Sequence, residues 1–354
     1  MPLLLTNDDV TAVLSMADCL DPMEHAFAEL GKGLAVSRSR SDMVVLQPQP
    51  GRHYILKTCD AALPSVGLSA VRVTSNMMQE VREAGTRRLD PLPLAGGGGY
   101  VGLVFLFDMQ QLNLVGIIHD ARIQVMRAGA AYGVAAKYLA RADASVVGVL
   151  GSGQQAREQL SALALVRPIR RANVFSPTKA NRERFAVEMT AQLGLEVVAS
   201  DDMEAVVTEA DIVALTTSSS QPVFPGAWLR PGQHVSTVRV NEVDDVARDR
   251  ASVIVLQSTE SSSLLVPAAQ TAPDWFGGLK REPDPRRLAF LGAVVIGEHA
   301  GRTDDAQITL FGGYASFGPA TGYSALGAIA LDRARKLGIG RELPDDWFVQ
   351  AESS

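Results

Sequence analysis

The sequence Val146-Val-Gly-Val-Leu-Gly151-Ser-Gly153-Gln-Gln-Ala156 decides the fold of the central part of the chain. It is an apolar strand that runs directly into Gly-x-Gly-x-x-Ala and then into an amphipathic segment. Gly151 permits a tight turn, Gly153 lets a pyrophosphate approach the backbone, and Ala156 keeps the helix close to the sheet. The helix start also offers free N–H groups to phosphate oxygens. The predicted dinucleotide contacts are therefore Gly151, Ser152, Gly153, Gln154, Gln155 and Ala156.

Helix-like and strand-like segments alternate around this motif. An alanine-rich helix is predicted over 121–140, before the motif. Further strands are predicted at 145–150, 172–175, 196–198, 212–216, 234–238 and 252–257, and helices at 154–165, 180–193 and 202–210. Such alternation with short connections is typical of a parallel sheet covered by helices on both faces.

The pattern is different toward the two ends of the chain. Residues 6–9, Thr-Asn-Asp-Asp, predict the start of a helix that runs through 10–20, and Asp21-Pro22 predicts the start of a second helix. Short β-rich runs at 43–46, 54–56, 68–73 and 100–107 predict a mostly antiparallel sheet. A helix predicted over 321–337 should return to this first region, because chain termini usually lie close together.

Composition narrows the class of protein. The 354 residues suggest two domains, and 47% hydrophobic with 20% charged residues is typical of a globular chain. A net charge of -6 without a basic block predicts neither nucleic acid nor an anionic membrane as partner. The chain has no 18-residue apolar run, no signal-like N-terminus and only two cysteines without a metal-ligand pattern. We expect a cytoplasmic protein with no metal and no disulfide.

The residues after the second parallel strand indicate which dinucleotide binds. An NAD site usually has an acidic residue there, which binds the ribose 2′-hydroxyl. Here the positions hold hydroxyl groups and cations instead: Ser176, Thr178, Lys179 and Arg182. These groups suit a 2′-phosphate and predict that NADP(H) is preferred over NAD(H). The alternative is that Lys179 and Arg182 only form the solvated face of the next helix.

Several other segments carry a resemblance to a known family. They are Ile123-Gln-Val-Met-Arg127-Ala-Gly-Ala-Ala, Ala135-Ala-Lys-Tyr-Leu-Ala-Arg141 and Gly301-Arg-Thr-Asp-Asp305-Ala-Gln-Ile-Thr-Leu-Phe311. With these and the glycine motif, the chain resembles the ornithine cyclodeaminase/mu-crystallin family over nearly its whole length. The resemblance implies an α/β fold with a Rossmann-type parallel-sheet domain at 121–317. Residues 1–120 and 318–354 would form an α+β domain for substrate binding and dimerisation, in a homodimer.

The resemblance also implies hydride exchange at a carbon that carries an amine or imine next to a carboxylate. One hypothesis is an NADP-dependent oxidoreductase that reduces a small α-imino acid or cyclic ketimine carboxylate, or that runs in reverse as an amino-acid dehydrogenase. A second is a cyclodeaminase that recycles its cofactor and releases ammonia. A third is a non-catalytic NADPH-binding protein like mu-crystallin. Residues 76–99 depart most from the family and are predicted to set specificity.

Family positions transfer incompletely onto this chain. Arg127 matches an arginine that binds the substrate carboxylate, and Arg40, or the adjacent Arg38, matches a second. The position of the family's catalytic lysine holds Arg72, which can bind a carboxylate but is a poor proton donor. Lys57, on the preceding predicted strand, could supply the proton instead, or could be an ordinary surface lysine.

The family resemblance also implies a substrate contact in the segment that follows Gly232-Gln-His234. In cyclodeaminases an aspartate there holds the substrate's side-chain amine, and the matching residue is Asn241, which cannot neutralise an ammonium. We therefore expect a reductase rather than a cyclodeaminase. Thr216, Thr217 and Val238 are predicted to contact the cofactor at the carboxyl ends of parallel strands, although the threonines could simply cap the loop. His234 could face the nicotinamide or be a buried structural residue.

Overall fold

A computed structural model describes residues 1–83, 86–94, 97–259, 263–271, 284–314 and 318–350. These ranges form two β-sheets. The strands of the first are β1 Leu3–Leu5, β2 Val36–Leu46, β3 Arg52–Leu63, β4 Leu68–Glu83, β5 Thr86–Pro91, β6 Val101–Asp108, β7 Leu114–His119, β14 Ser263–Leu265 and β17 Arg341–Glu342. Those of the second are β8 Val146–Leu150, β9 Arg171–Phe175, β10 Glu196–Ala199, β11 Ile212–Leu215, β12 His234–Thr237, β13 Val253–Leu256, β15 Leu288–Phe290 and β16 Thr309–Phe311.

Helices connect and cover the two sheets. They are α1 Asn7–Val13, α2 Met16–Gly31, α3 Asp120–Leu139, α4 Gln154–Val166, α5 Lys179–Leu193, α6 Met203–Thr208, α7 Asp245–Arg250, α8 Leu291–Val295 and α9 Thr321–Leu337. The last helix has the predicted bounds. In the described part of the chain, every helix is too short or too polar to cross a bilayer.

The second sheet confirms the predicted Rossmann-type arrangement. Its strand order is β10-β9-β8-β11-β12-β16-β13-β15, and every neighbouring pair is parallel. β8 and β11 are nearly continuous apolar runs, and every residue of β11 and β12 is buried, as expected for strands covered on both faces. Because these strands are parallel, their carboxyl ends meet at one edge of the sheet. The side chains that follow each strand therefore collect there.

The first sheet is mostly antiparallel, as predicted, and β2, β3 and β4 are longer than the sequence patterns indicated. Its order is β14-β2-β3-β4-β6-β7-β1-β17, with β5 paired to β4. β1 with β7 and β14 with β2 are the parallel pairs. β14 comes from the stretch assigned to the parallel-sheet domain, yet it extends the other sheet. The division into 1–120 with 318–354 and 121–317 stays a prediction.

Helix α3 joins the two sheets. On its face toward the parallel sheet, Tyr132 donates a hydrogen bond to the Thr237 carbonyl at 2.6 Å and meets the Phe311 ring edge-on at 5.2 Å. Its other neighbours are α2, α4 and α9, with Tyr323 of α9 fully buried. This shared apolar core fixes the distance between the carboxyl edge of the parallel sheet and the face of the antiparallel one.

The predicted boundary between the first two helices is wrong. Leu14 is the C-cap of α1, and Ser15 is the N-cap of α2. Pro22 lies inside α2. Ser15 caps α2: its backbone N–H donates to the Asp18 carboxylate at 2.9 Å, and its hydroxyl accepts from the Asp18 N–H at 3.4 Å. This capping box satisfies donors that the Asp21-Pro22 boundary would leave to water, so the helix starts at Met16, before Asp21 and Pro22.

Candidate functional site

A cavity of about 450 Å³ lies between the two sheets. Its walls come from β3 and β4 of the antiparallel sheet, from α3 and α9, and from the loops after β8, β11, β12 and β13 of the parallel sheet. Among the predicted substrate and catalytic residues, all five line it: Arg40, Lys57, Arg72, Arg127 and Asn241. Of the segment predicted to set specificity, Asn76, Met78 and Leu89 line it as well, while residues 84–85 and 95–96 lie outside the described ranges.

Arg127 is the guanidinium most clearly prepared for a ligand. It lies on α3, is 8% exposed, and its Cζ stands 4.8 Å from the centre of the Tyr323 ring. Its Nε and Nη1 are buried, and neither finds a hydrogen-bond acceptor within the described ranges. An unsatisfied buried charged donor is costly, so this arrangement favours an anion in the cavity. The ring holds the guanidinium in place without neutralising it.

Arg72 is already paired within the protein. Its Nε and Nη2 donate to the two carboxylate oxygens of Asp120, both at 2.8 Å, and Asp120 is fully buried. The aspartate thus serves this ion pair, and the N-cap of α3 is His119, whose side chain accepts from the N–H of Ala121. Because this bidentate pair occupies one edge of the Arg72 guanidinium, its predicted substrate contact is limited to the remaining donors.

Arg40 of β2 and Lys57 of β3 line the cavity from the same sheet as Arg72 of β4. Arg40 donates to the buried Asp42 carboxylate at 2.6 Å, whereas Arg38 pairs with Asp60 on the surface with its side chain 79% exposed. The structure thus selects Arg40 as the cavity residue of the two. Lys57 makes no hydrogen bond or ion pair with any described residue. Burial, reinforced by the positive charge of Arg40, lowers the pKa of Lys57 to about 7.

Strand pairing explains why Lys57 and Arg72 are neighbours. Lys57 of β3 pairs with Thr74 of β4, and Cys59 pairs with Arg72. Residues two apart on a strand share a face, so the lysine and the arginine project side by side into the cavity. The sequence had suggested only that Lys57 lies on the preceding strand.

Asn241 lies in a 3₁₀ turn, Val240–Glu242, beyond the end of β12, and lines the cavity. Glu242, the next residue, is absent from the cavity lining. Its carboxylate accepts hydrogen bonds from the backbone N–H groups of Thr217, Val238 and Arg239 at 2.6 to 2.8 Å. The buried glutamate therefore ties the loops after β11 and β12 together and is unavailable to a substrate ammonium.

The glycine motif adjoins this cavity. Gly151 has a φ of 117°, and a Cβ there would lie 2.7 Å from the Thr216 carbonyl oxygen, so only glycine fits. Gly153 is the N-cap of α4 without a side-chain cap, and a Cβ there would meet nothing within 4 Å. The first N–H groups of α4 thus face open space, which fits a bound pyrophosphate. Ala156 is fully buried, and Gln155 reaches the cavity lining.

The residues predicted to bind a 2′-phosphate cluster after β9. Ser152 donates to the Ser176 hydroxyl at 3.1 Å, and Arg182 donates to the Ser176 carbonyl at 2.9 Å. The Cζ of Arg182 lies 6.0 Å from the centre of the Phe175 ring. Lys179 is 76% exposed, with a long contact to Glu183 at 3.7 Å. Thr178 is the N-cap of α5, and its side chain makes no cap hydrogen bond. The cluster therefore keeps exposed donors beside the glycine motif.

Hydroxyl groups after β11 form bonds within the protein. Thr216 donates to the Leu150 carbonyl at 3.0 Å, and Thr217 donates to Glu242 at 2.8 Å. Both side chains therefore act as loop caps, and a cofactor contact by them stays a prediction. Val238 lines the cavity. His234 is buried against the Thr309 hydroxyl at 2.9 Å, and burial lowers its pKa to about 3, so it is the structural residue of the two alternatives.

Sequence reasoning missed several residues of the cavity, among them Arg239, Tyr323 and Gln257. Arg239 follows β12 directly, and the rule that selected Val238 could have found it. Tyr323 and Gln257 had no such signal, because a tyrosine within a helix and a glutamine after a strand are common in any fold. Burial and the charge of Arg40 lower the pKa of Arg239, although the charge of Glu242 opposes this. Among the described residues, no group of three or more His, Cys, Asp or Glu could hold a metal ion.

The geometry agrees with comparisons to known proteins. The family model described as the ornithine cyclodeaminase/mu-crystallin family matches residues 1–321. The chain belongs to this family. Membership confirms the resemblance seen in the sequence. It also accounts for a Rossmann-type sheet facing an antiparallel sheet across one cavity.

Three relatives show the degree of similarity. A putative dehydrogenase of Rhizobium meliloti is 38% identical over 199 residues, 55% of this chain. A Δ1-pyrroline-2-carboxylate reductase of Bacillus cereus is 30% identical over 252 residues, 68% of this chain and 74% of its own length. The solved structure of Thermococcus litoralis Δ1-pyrroline-2-carboxylate reductase, in complex with NADH and L-proline, matches with a TM-score of 0.77 at 27% identity, and the match covers 96% of this chain and 100% of that one.

The matched regions of the first curated relatives are partial. The chain spans 59% of the length of the Rhizobium protein and 63% of that of an uncharacterised cyclodeaminase of Sinorhizobium fredii. The solved structure, in contrast, is matched over its full length. The two-sheet fold is therefore shared throughout, whereas an activity for this chain is a matter for proposal.

Proposed function

We propose that this protein is an NADP-dependent oxidoreductase that reduces a small α-imino acid or a cyclic ketimine carboxylate to an amino acid. Arg127 carries the proposal: it is a buried guanidinium with unsatisfied donors in a cavity that the glycine motif reaches through Gln155. A guanidinium of this kind matches a carboxylate in shape and charge. The names of the Bacillus and Thermococcus relatives support the same class of substrate.

The cofactor and the substrate would meet at the carboxyl edge of the parallel sheet. Gly151 and Gly153 would hold the pyrophosphate against the start of α4, and Val238 and Gln155 would lie toward the nicotinamide. When bound, the nicotinamide nucleotide supplies the hydride. Arg127 binds the substrate carboxylate and thereby places the adjacent imine carbon, and this fixed position is itself a large part of catalysis.

Lys57 is the proposed proton donor. Reduction of an imine adds a hydride to carbon and a proton to nitrogen, so an acid must stand near the nitrogen. The pKa of Lys57, lowered to about 7 by burial and by Arg40, lets it release a proton at neutral pH, which an arginine cannot do. Arg72, fixed by Asp120, would contribute positive charge and a carboxylate contact. Asn241 would offer an uncharged hydrogen-bonding group.

The test measures oxidation of NADPH and NADH with Δ1-pyrroline-2-carboxylate and with imines formed from 2-oxo acids and ammonia. We expect turnover, and we expect Arg127→Gln to lower kcat/KM by roughly 100-fold or more, as for loss of one buried charged hydrogen bond partner. Arg335→Gln, a surface change on α9, is the matched control. Release of ammonia from ornithine without net oxidation of NADPH would contradict the reductase proposal.

The preference for NADP(H) rests on Ser176, Thr178, Lys179 and Arg182, and on the absence of an acidic residue from 175–182 in the sequence. We expect NADPH to bind more tightly than NADH in a fluorescence titration. Arg182→Gln should weaken NADPH by roughly tenfold, one charge-assisted contact, and leave NADH unchanged. Tighter NADH binding, or equal loss for both nucleotides, would refute this preference. The Thermococcus relative was solved with NADH, so a preference for NADPH would distinguish this chain from it.

The oligomeric state and the compartment complete the proposal. Met43 and Leu265 are register partners on β2 and β14, and with Val45 they leave an apolar outer sheet face that is 37% to 54% exposed. We infer that a second copy of the chain covers this face. Val45→Lys should then shift the protein from dimer to monomer in sedimentation.

Cys19 and Cys59 are buried and unpaired, which suits the reducing cytoplasm.

A further inference from the structure

The cavity carries more positive charge than one carboxylate can neutralise. Its cationic lining residues are Arg40, Lys57, Arg72, Arg127 and Arg239, and its described lining includes no aspartate or glutamate. Two of these cations have a carboxylate partner behind the wall: Arg40 has Asp42, and Arg72 has Asp120. Three cations therefore have no ion pair with a described residue.

The nearest acid in sequence does not change this count. Glu242 lies three residues after Arg239, but its carboxylate accepts four hydrogen bonds, three from backbone N–H groups and one from the Thr217 hydroxyl. Those donors hold it away from the cavity. Arg239 donates no side-chain hydrogen bond to any described residue, although its side chain lines the cavity beside Asn241.

The three unpaired cations come from three different elements. Arg127 projects from α3, Lys57 from β3, and Arg239 from the end of β12. A monocarboxylate held by Arg127 would leave Arg239 without an anion, and Lys57 is reserved for the proton. Uncompensated charge in a buried cavity is costly, so it is retained where a ligand supplies the countercharge.

We propose that the substrate is an α-imino acid with a second carboxylate, which Arg239 binds while Arg127 binds the α-carboxylate. This inference rests on the proposed function and narrows its substrate class. The reaction is unchanged: the imine carbon gains the hydride of NAD(P)H, the nitrogen gains a proton, and an amino dicarboxylate leaves. Arg239 is thus a specificity residue on the wall opposite the lysine strand.

The kinetic test compares imines formed in situ from ammonia with oxaloacetate or 2-oxoglutarate against those formed with pyruvate or 2-oxobutyrate. We expect kcat/KM to be at least about 30-fold higher for a dicarboxylate, as for a gained buried charge pair. Arg239→Gln should remove most of this preference, lowering kcat/KM for the monocarboxylates by less than about threefold, and Arg239→Lys should restore part of it. Arg230→Gln, an exposed arginine before β12, is the matched control.

A binding measurement separates this inference from the proposed function. Calorimetry compares L-aspartate and L-glutamate with L-alanine and L-proline on the protein saturated with NADP⁺. Selective binding of a dicarboxylate that Arg239→Gln abolishes supports the inference even if turnover is slow. Equal binding, equal turnover of monocarboxylates, or an equal effect of Arg239→Gln on both classes overturns it. If no imine oxidises either nucleotide and no amino acid binds, the proposed function fails as well.

Discussion

Lys57→Met should stabilise the protein while it removes activity. The pKa of Lys57 falls from 10.5 to about 7 because the folded protein buries the ammonium next to Arg40 and Arg72. At about 1.4 kcal/mol for each pH unit between these values, the charged lysine opposes folding by about 5 kcal/mol. Effective dielectric constants at buried charged sites exceed that of a dry interior, so we expect a gain near half of that, about 2 kcal/mol at pH 7.

The dependence on pH has a definite sign. Between pH 7 and 10.5 the unfolded chain binds a proton at Lys57 that the folded chain has lost, so the free energy of unfolding rises with pH in this window. Below about pH 7 both states are protonated and the full penalty applies. The advantage of Lys57→Met should therefore shrink to below about 0.5 kcal/mol at pH 10.

The assay is urea unfolding followed by tryptophan fluorescence at pH 7 and pH 10. Lys336→Met is the control, because Lys336 is 71% exposed in a surface ion pair and should change stability little. In parallel, the wild-type kcat/KM for imine reduction should fall about tenfold per pH unit above pH 7. Lys57→Met should lower it by roughly 100-fold or more and flatten this limb.

Two results would refute the reasoning. If Lys57→Met destabilises the protein at pH 7, the lysine is not a buried, unpaired cation. If the variant keeps wild-type kcat/KM and the same alkaline limb, another group donates the proton. A gain in stability with a loss of activity is the result expected of a buried lysine that costs stability and is needed for turnover.

Three further predictions concern the cofactor loop, a buried histidine and a helix cap. Gly153→Ala should leave thermal stability unchanged, because its Cβ meets open space, but should weaken NADPH binding by at least about tenfold. Gly151→Ala should lower both the thermal stability and the affinity for NADPH. The pKa of His234 is lowered to about 3, so between pH 6.5 and 3 the unfolded chain binds a proton there that the folded chain does not. Unfolding experiments should therefore show the free energy of unfolding falling as the pH is lowered, by up to about 1.4 kcal/mol per pH unit in that window. The fall should be smaller in His234→Gln. Ser15→Ala should lower the free energy of unfolding by about 1 kcal/mol, and no loss in urea titrations would contradict the cap.

The sequence could predict those parts of the fold that depend on local patterns. Apolar periodicity and the Gly-x-Gly-x-x-Ala spacing determined the parallel sheet, its strand–helix alternation and the turn at Gly151. The prediction for the N-terminal helices was wrong because Pro22 looked like a helix start, while the capping box of Ser15 and Asp18 in fact sets the boundary. Local signals compete, and the one that satisfies more backbone donors wins.

Which side chains meet in the cavity was decided only by tertiary structure. Lys57 and Arg72 become neighbours through strand register, and Arg72 finds Asp120 across 48 residues of chain. Arg239 reaches the same cavity from the other sheet. Periodicity tells which face a residue occupies but not which residue it faces, because that depends on how distant segments pack. Which cations of the cavity have an ion-pair partner depends on the assembled structure, so the sequence alone could not determine the net charge of the cavity.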